Sequence, residues 1–183
     1  MPPKVSVVIP VYNVGKQLEK CLDSVVAQTF PDIEIIVVND GSTDNSPEII
    51  ARYADEDSRI VVIDKSNEGL AYARKSGIEA AQGEYIQHLD GDDFLEPDAI
   101  ELLYNKAIEE KADMVVFPFW FDYVDEKKKR SSRPAPGVYD SVSFFQSMAF
   151  CRNYWSVCSY LHKRSLYAEV HLSLIHISEP TRH

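Results

Sequence analysis

The sequence of 183 residues contains no apolar run that approaches the roughly 18 residues needed to span a membrane. It has only three cysteines and no CxxC pair, which argues against a disulfide framework and against a zinc site. The N-terminus has one Lys before a short apolar stretch that ends in Pro, a pattern typical of a first strand rather than of a signal peptide. We therefore expect a cytoplasmic protein.

Basic residues are scarce as well. The chain carries 19 Lys and Arg against 29 Asp and Glu, a formal net charge of −10. Because contacts with phosphates supply most of the affinity in nucleic-acid binding, this balance argues against nucleic acid as a partner. Two glycine-rich phosphate loops are also missing: no GxGxxG follows the first predicted strand, and no GxxxxGK followed by Ser or Thr occurs. Their absence argues against a dinucleotide-dependent dehydrogenase and against a P-loop NTPase.

Strand and helix patterns alternate through the first 120 residues, in a chain that is 45% hydrophobic and 26% charged. Short apolar runs predict strands at Val5–Pro10, Ile33–Asn39, Ile60–Ile63, Tyr85–Leu89 and Met114–Phe119. Helices are predicted at Gly15–Gln28, at Gly69–Ala81 and from Pro97 to about Glu110. A further helix is predicted to begin at Pro47, with Ser46 as its cap, and Gly83 is expected to close the helix at Gly69–Ala81. This alternation predicts an α/β fold with a mostly parallel sheet flanked by helices on both faces.

The pattern changes beyond residue 120. A polar, proline-containing stretch predicts a loop, followed by a short helix at Ser141–Phe150 and a strand or extended segment at Tyr154–Leu161. The last residues, Ser173–His183, continue no pattern and resemble translated sequencing-adapter DNA, with an ordinary frayed terminus as the alternative. We therefore divide the chain into regions at 1–120 and 121–172 and a non-native tail at 173–183.

Polar residues follow four successive predicted strands. In an open parallel sheet, ligands bind beyond the carboxyl ends of the strands, so these positions predict one shared site. Asp, Asn and Gly also favour turns, and for each loop taken alone that interpretation stays open. The four sets are Pro10, Tyr12 and Asn13; Asn39 to Asp44; Asn67 to Gly69; and Asp90 to Asp93.

The loop Asp90-Gly91-Asp92-Asp93 places three carboxylates within four residues. Like charges about 4 Å apart repel by roughly 4 kcal/mol at an effective dielectric constant near 20, so a bound cation would stabilise the cluster. Mg²⁺ and Mn²⁺ prefer oxygen ligands and share them with water and substrate phosphate. The loop therefore predicts a metal–phosphate bridge, with an acidic turn that caps the helix at Pro97 as the alternative. An aspartyl-phosphate enzyme would carry such a loop after its first strand, whereas here it follows the fourth.

Four motifs, in order along the chain, carry a resemblance to a known family. They are SVVIPVYN at Ser6–Asn13, VVNDGSTDNS at Val37–Ser46, NEGLAYARKSGIEAAQGEY at Asn67–Tyr85 and LDGDDFLEPDAI at Leu89–Ile100. Together they closely resemble the nucleotide-sugar-binding half of family 2 glycosyltransferases, whose GT-A fold is a Rossmann-like α/β domain, over about residues 4–120. A weaker likeness at Trp155–Leu166 corresponds to the segment before the family's acceptor-side catalytic loop, so region 121–172 would be a partial acceptor side.

The resemblance implies an inverting transfer of a sugar from a nucleotide diphosphate, expected to be a UDP-sugar, to an acceptor hydroxyl. It assigns nucleotide binding to Pro10, Tyr12, Asn13, Asp40, Asp44, Arg74 and Asp90. Asp40 would accept a hydrogen bond from the base, commonly uracil, and Arg74 would approach the nucleotide or its phosphates. Asp90 and Asp92 would form a DxD pair that holds Mn²⁺ or Mg²⁺, with Asp92 as principal ligand and Asp90 toward the ribose. Asp93 is a neighbour with a less defined role.

The family's acceptor-side base has no match in this chain. In these enzymes a later Asp or Glu deprotonates the acceptor hydroxyl, which contributes about 10²–10⁴-fold in rate. Glu169 and Glu179 are the only late carboxylates, and neither lies in a matching motif. We therefore expect the base beyond residue 172 of a longer enzyme, of which this chain would hold the donor-binding half.

The expected partners are a nucleotide-sugar donor and a sugar or lipid-linked acceptor, in bacterial surface-polysaccharide assembly. The basic run Lys127–Arg130 could contact an anionic membrane at the inner face, with a solvated loop as the alternative. Two other functions stay open: a nucleotide-sugar-binding module without catalysis, and a sugar nucleotidyltransferase. The latter would need a Gly/Arg/Lys-rich loop after the first strand, where this chain has Tyr12–Lys16. His88 is interpreted as a core or sheet-face residue, with a ligand role as the alternative.

Overall fold

A computed structural model of the chain describes residues 2–121, 129–130, 136–149 and 156–169. Strands and helices alternate at first: β1 Val5–Val11, α1 Gly15–Val26, β2 Ile33–Asp40, α2 Ser46–Glu56, β3 Ile60–Lys65, α3 Leu70–Ala80, β4 Tyr85–His88, α4 Ala99–Glu109 and β5 Met114–Val116. Shorter elements follow: β6 Trp120–Phe121, β7 Lys129–Arg130, α5 Ser141–Ala149, a 3₁₀ turn at Val157–Ser159, β8 Tyr160–Lys163 and α6 Leu166–Glu169. None of the helices in these ranges combines the length and apolar character required to cross a bilayer.

Six strands form one sheet in the order β3-β2-β1-β4-β8-β5, and β6 pairs separately with β7. The first four strands of that order run parallel, and Val5 on β1 lies opposite both Ile33 on β2 and Tyr85 on β4. β8 runs antiparallel to both of its neighbours, with Leu161 opposite Gln87 on β4 and Val115 on β5. The predicted α/β fold with a mostly parallel sheet is confirmed.

The two faces of the sheet pack against different helices. On one face, Val7 and Ile9 of β1 belong to a cluster with Leu22 of α1 and with residues of α2 and α4. On the other face, Val8 of β1 clusters with Ala73 of α3. Because successive residues of a strand point to opposite faces, a strand covered on both sides is a continuous apolar run. This packing explains why β1 and β2 could be predicted from the sequence.

Helix α3 approaches the sheet so closely that Gly77 has no room for a side chain. A Cβ at this position would lie 2.3 Å from Val8 Cγ1. Replacing Gly with Ala inside a helix ordinarily stabilises a protein by about 1 kcal/mol, but overpacking a core costs about 1–3 kcal/mol. We predict that Gly77→Ala lowers the free energy of unfolding, measured by urea titration, by about 1–2 kcal/mol.

The control for this prediction is Ser76→Ala, at the preceding position of the same helix. Ser76 is only partly buried, so this change should alter the free energy of unfolding by less than about 0.5 kcal/mol. If Gly77→Ala were neutral or stabilising, the close packing of α3 on β1 would be contradicted.

The start of α2 differs from the prediction by one residue. The cap position is occupied by Asn45 rather than Ser46, and Ser46 is the first helical residue. The reason is a neighbouring carboxylate: Asp44 Oδ1 accepts a hydrogen bond from the Ser46 amide at 3.0 Å. The side chain of the residue before the observed cap therefore satisfies the first amide of α2.

The end of α3 also differs from the prediction. The helix ends at Ala80, Ala81 is already extended, and Gly83 does not adopt the left-handed conformation of a closing glycine. Gly83 instead lies against β1, where a Cβ would come within 2.6 Å of Ser6 N. Its small size is needed for close approach to a strand rather than for a helix cap.

Three further boundaries are shorter or later than predicted. Helix α4 begins at Ala99 rather than Pro97, whose carbonyl accepts a hydrogen bond from Thr29 N at 2.9 Å. Strand β5 ends at Val116. The strand or extended segment predicted at Tyr154–Leu161 is a 3₁₀ turn followed by β8, and residues 154 and 155 lie outside the described residues.

The region boundaries at residues 120 and 172 stay predictions. Of the basic run Lys127–Arg130, only residues 129 and 130 are described, and the predicted tail at 173–183 lies outside the described residues.

Candidate functional site

The carboxyl ends of β1, β2 and β4 and the start of α3 enclose a cleft of about 400 Å³. Its lining consists of Pro10, Val11, Tyr12, Val14, Asp40, Asn67, Gly69, Leu70, Ala73, Asp90, Gly91 and Asp92. This set contains five of the eight site residues expected from the sequence, because parallel strands end at one edge of the sheet. The other three, Asn13, Asp44 and Arg74, lie in or contact the loops that form the cleft.

Tyr12 and Asn13 form the turn that leaves β1. Tyr12 is half exposed where it lines the cleft. Asn13 has a φ of 55°, a left-handed conformation that Asn adopts more readily than most residues. Its Oδ1 accepts a hydrogen bond from Thr43 N at 2.8 Å, and its own amide donates to Ser42 Oγ at 3.1 Å. Asn13 therefore ties the turn that carries Tyr12 to the loop after β2.

Asp44 contacts two helix ends and is not part of the cleft lining. Its Oδ2 accepts a hydrogen bond from Gly15 N at 2.9 Å, and its Oδ1 accepts one from Ser46 N at 3.0 Å. Hydrogen bonding to Ser46, and then to the Gly15 amide, lowers the pKa of the Asp44 carboxyl. A negative charge is favourable at the N-termini of α1 and α2. The nucleotide contact expected of Asp44 stays a prediction.

Asp40 lies at the end of β2 and lines the cleft, although the residue as a whole is only 2% exposed. Its Oδ1 accepts a hydrogen bond from Glu68 N at 3.0 Å, and its Oδ2 accepts one from Gly69 N at 2.8 Å. Lys65 Nζ lies 3.7 Å from Oδ1. A carboxylate can accept about four hydrogen bonds, so Asp40 can hold the loop before α3 and still accept a donor from a ligand.

Arg74 of α3 reaches the acidic loop after β4. Its Nη2 lies 2.7 Å from Asp90 Oδ1. The two side chains are 18% and 30% exposed, so the ion pair borders solvent. A guanidinium in this place can also face the oxygens of a phosphate, since its donors form a planar fork. The structure thus brings together Arg74 and Asp90, which the sequence had assigned separately.

The carboxylates of the acidic loop belong to two groups of side chains, one in the cleft lining and one around Cys158. Asp92 is exposed and lines the cleft together with Asp90. Asp90 and Asp93 also meet Cys158, and the ligand atoms of these three side chains all lie within 4.8 Å of one another. Burial, and then the nearby Asp90 charge, raise the pKa of Cys158 to about 12, so its thiol is protonated at neutral pH. The oxygen donors Asp90 and Asp92 fit a hard divalent ion such as Mn²⁺ or Mg²⁺.

Two polar residues near the end of α1, which sequence reasoning missed, hold the chain that follows the acidic loop and the start of α4. Ser24 Oγ accepts a hydrogen bond from Leu95 N at 3.1 Å. Gln28 Nε2 donates to Glu96 O at 2.7 Å, and Gln28 Oε1 accepts from Ile100 N at 3.0 Å. The available signal was a Gln at the end of an amphipathic helix, but its partners lie about 70 residues away and leave no local pattern.

His88 is a core residue, which confirms that interpretation of the sequence. It is 1% exposed, and its Nε2 lies 2.9 Å from the hydroxyl of Tyr167. Burial, followed by His162 and Arg74, lowers the pKa of His88 to about 3, so the ring is neutral at physiological pH. It does not line the cleft.

The mixed sheet with helices on both faces is of the GT-A type, and solved structures agree on this fold. Residues 1–349 of S. aureus TarS match with a TM-score of 0.72 and 23% identity, covering 90% of this chain and 48% of that chain. A mannosyltransferase from Pyrobaculum calidifontis matches with a TM-score of 0.53 and 28% identity, covering 64% of this chain and 35% of that chain.

Sequence comparison identifies the family. The profile described as "Glycosyl transferase family 2" matches residues 6–169, and the chain belongs to this family. It is 40% identical over 155 residues to glycosyltransferase GlyA of Streptococcus pneumoniae, covering 79% of this chain and 21% of GlyA. It is 38% identical over 182 residues to the uncharacterized glycosyltransferase EpsJ of Bacillus subtilis, covering 94% of this chain and 51% of EpsJ. The chain thus spans about half, or less, of the length of these relatives.

Proposed function

We propose that this chain binds a nucleotide-diphosphate sugar in the cleft and serves its transfer, with inversion, to an acceptor hydroxyl. The observation that carries the proposal is the meeting of Asp40, Asp90 and Asp92 in one cleft, from two strand ends that are 50 residues apart in the sequence. In this proposal Asp40 accepts a hydrogen bond from the base, which is supported by its position in the cleft lining together with the exposed ring of Tyr12. Asp90 and Asp92 would hold a cation beside the diphosphate.

The neighbours support a nucleotide sugar as the ligand class. TarS was solved in complex with UDP-GlcNAc, and the Pyrobaculum mannosyltransferase in complex with GDP-Man and Mn²⁺. We propose a UDP-sugar for this chain, with the Asp40 carboxylate as acceptor for the imide N–H of uracil, as the family resemblance implies. Asp44 would act indirectly, since its carboxylate holds the first residues of α1 and α2 beside the nucleotide.

We further propose that Asp92 and Asp90 hold Mn²⁺ or Mg²⁺. The ion would neutralise charge on the departing diphosphate, which is the chemistry a divalent ion supplies in this kind of transfer. Arg74, paired with Asp90 at 2.7 Å, adds a fixed positive group at the same place. Its guanidinium would contact the phosphates from the α3 side.

The acceptor side is proposed from the family alone. We propose a role in bacterial cell-surface polysaccharide synthesis, with a sugar or lipid-linked acceptor, on the cytoplasmic side and at the membrane's inner face. The relatives include a hyaluronan synthase of Pasteurella multocida, 40% identical over 115 residues. The expected base beyond residue 172 stays a prediction, and residues 170–183 lie outside the described residues.

Isothermal titration calorimetry tests the donor proposal. We expect UDP to bind in the presence of Mn²⁺ and to bind much more weakly in EDTA, and GDP and ADP to bind more weakly than UDP. Binding without sugar transfer to any acceptor would favour a donor-binding module. Preference for a nucleoside triphosphate together with a sugar phosphate would favour a sugar nucleotidyltransferase instead. Absence of any Mn²⁺-dependent nucleotide binding would refute the proposed function.

A further inference from the structure

We propose that Gln28 is a positioning residue for the donor-site cation, because it fixes the segment from Asp90 to Ile100, which carries Asp92. The inference rests on the proposed function, since it requires a divalent ion at the acidic loop. Gln28 itself does not line the cleft. It would act only through the backbone that it holds.

The Gln28 side chain makes three hydrogen bonds with backbone groups, and the residue is 7% exposed. Its Nε2 donates to Ser24 O at 2.9 Å and to Glu96 O at 2.7 Å. Its Oε1 accepts from Ile100 N at 3.0 Å, in the first turn of α4. The Gln28 side-chain amide therefore uses both its NH₂ group and its carbonyl oxygen. It links the end of α1 to Glu96, just before α4, and to Ile100, in the first turn of α4.

Two more contacts from α1 hold the same segment nearer to its carboxylates. Ser24 Oγ accepts a hydrogen bond from Leu95 N at 3.1 Å. Cys21 Sγ lies 3.6 Å from Asp90 O. Helix α1 thus contacts the segment at its first residue and again three residues beyond Asp92, so Asp92 lies in a span fixed at both ends. Carboxylates that ligate a metal need such support, because small displacements change the ligand geometry.

The contacts of α1 divide between two sides of the cleft. At its start, Gly15 N bonds to Asp44, beside the turn that carries Tyr12. Just beyond its end, the Gln28 side chain bonds to Ser24 and to the chain that follows the acidic loop. A change at Gln28 should therefore disturb the cation and leave the base-binding side intact. This split distinguishes positioning from general stabilisation.

The test is the nearly isosteric variant Gln28→Glu. The carboxylate can still accept from Ile100 N, but it loses both donors and faces the carbonyls of Ser24 and Glu96. We expect the Mn²⁺ affinity, measured by calorimetry at saturating UDP, to fall about 10-fold, as for the loss of outer-shell support at metal sites. The UDP affinity in EDTA should stay at the wild-type value. Gln17→Glu, at an exposed position on α1, makes the same charge change and should alter neither affinity.

Several outcomes would overturn the inference. The first is an unchanged Mn²⁺ affinity in folded Gln28→Glu. The second is an equal loss of the Mn²⁺ affinity and of the UDP affinity in EDTA, because such a loss indicates a general structural role. Ser24→Ala removes the hydrogen bond from Leu95 N, together with the bond of Ser24 Oγ to Cys21 O within α1, and should show the same pattern with a smaller loss of Mn²⁺ affinity. It decides the question if Gln28→Glu fails to fold. Wild-type protein without Mn²⁺-dependent UDP binding would instead refute the proposed function, and the inference with it.

Discussion

Replacing Asp92 with Asn is expected to weaken Mn²⁺-dependent UDP binding by about 100-fold or more, because loss of a ligand should exceed the 10–100-fold effect of outer-shell changes. Asp92 is exposed, lines the cleft and belongs to the loop that follows β4. Asn keeps the shape of the side chain and removes the negative charge that a hard divalent ion requires. The UDP affinity in EDTA should change little. Calorimetric titration of UDP, with Mn²⁺ and with EDTA, measures both quantities.

Asp98→Asn is the matched control for this substitution. Asp98 is also exposed and lies in the same segment, at the cap position of α4, without a side-chain hydrogen bond to the helix. It makes the same charge change outside the cleft, so Mn²⁺-dependent binding should stay at the wild-type value. If Asp92→Asn bound normally and Asp93→Asn did not, the principal ligand would be Asp93, which meets Asp90 and Cys158.

Leu161→Ala is expected to lower the free energy of unfolding by about 2–5 kcal/mol, the usual cost of a large-to-small change in a core. Leu161 is 0% exposed and lies on β8 between Gln87 and Val115 of the flanking strands. Removing its side chain would leave a cavity in the middle of the sheet. Urea unfolding followed by circular dichroism measures the loss.

Leu102→Ala provides the comparison, because Leu102 is 61% exposed on α4 and should change the free energy of unfolding by less than about 0.5 kcal/mol. A loss for Leu161→Ala as small as that for Leu102→Ala would contradict the placement of β8 in the sheet. The same titration bears on the division of the chain at residue 120: a single transition favours one cooperative unit, and two transitions favour separate regions.

The sequence predicted the parallel part of the fold well because burial on both faces leaves a local pattern. β1 and β2 are continuous apolar runs, and their observed ends lie within a residue or so of the predicted ones. β8 is different. Its place between β4 and β5 depends on pairing with residues far along the chain, and a four-residue strand carries too little pattern to reveal its partners.

The cleft could be predicted to the extent that it depends on topology. Asp40, Asp90 and Asp92 were expected together because parallel strands end at one edge, and the structure places them in one lining. What could not be predicted are the bonds from side chains to distant backbone groups. Asp44 holds the start of α1, 29 residues earlier, and Gln28 holds the start of α4, and neither of these contacts follows from neighbouring residues in the sequence.

The antiparallel direction of β8 determines at which edge of the sheet this strand begins. Since Leu161 pairs with Gln87 and Lys163 with Tyr85, the beginning of β8 lies at the end of β4 from which the acidic loop departs. The 3₁₀ turn before β8 accordingly brings Cys158 next to Asp90. The 3₁₀ turn at Val157–Ser159 therefore lies beside the loop that carries Asp90 and Asp92, so substitutions in this turn would change the surroundings of those carboxylates without replacing them.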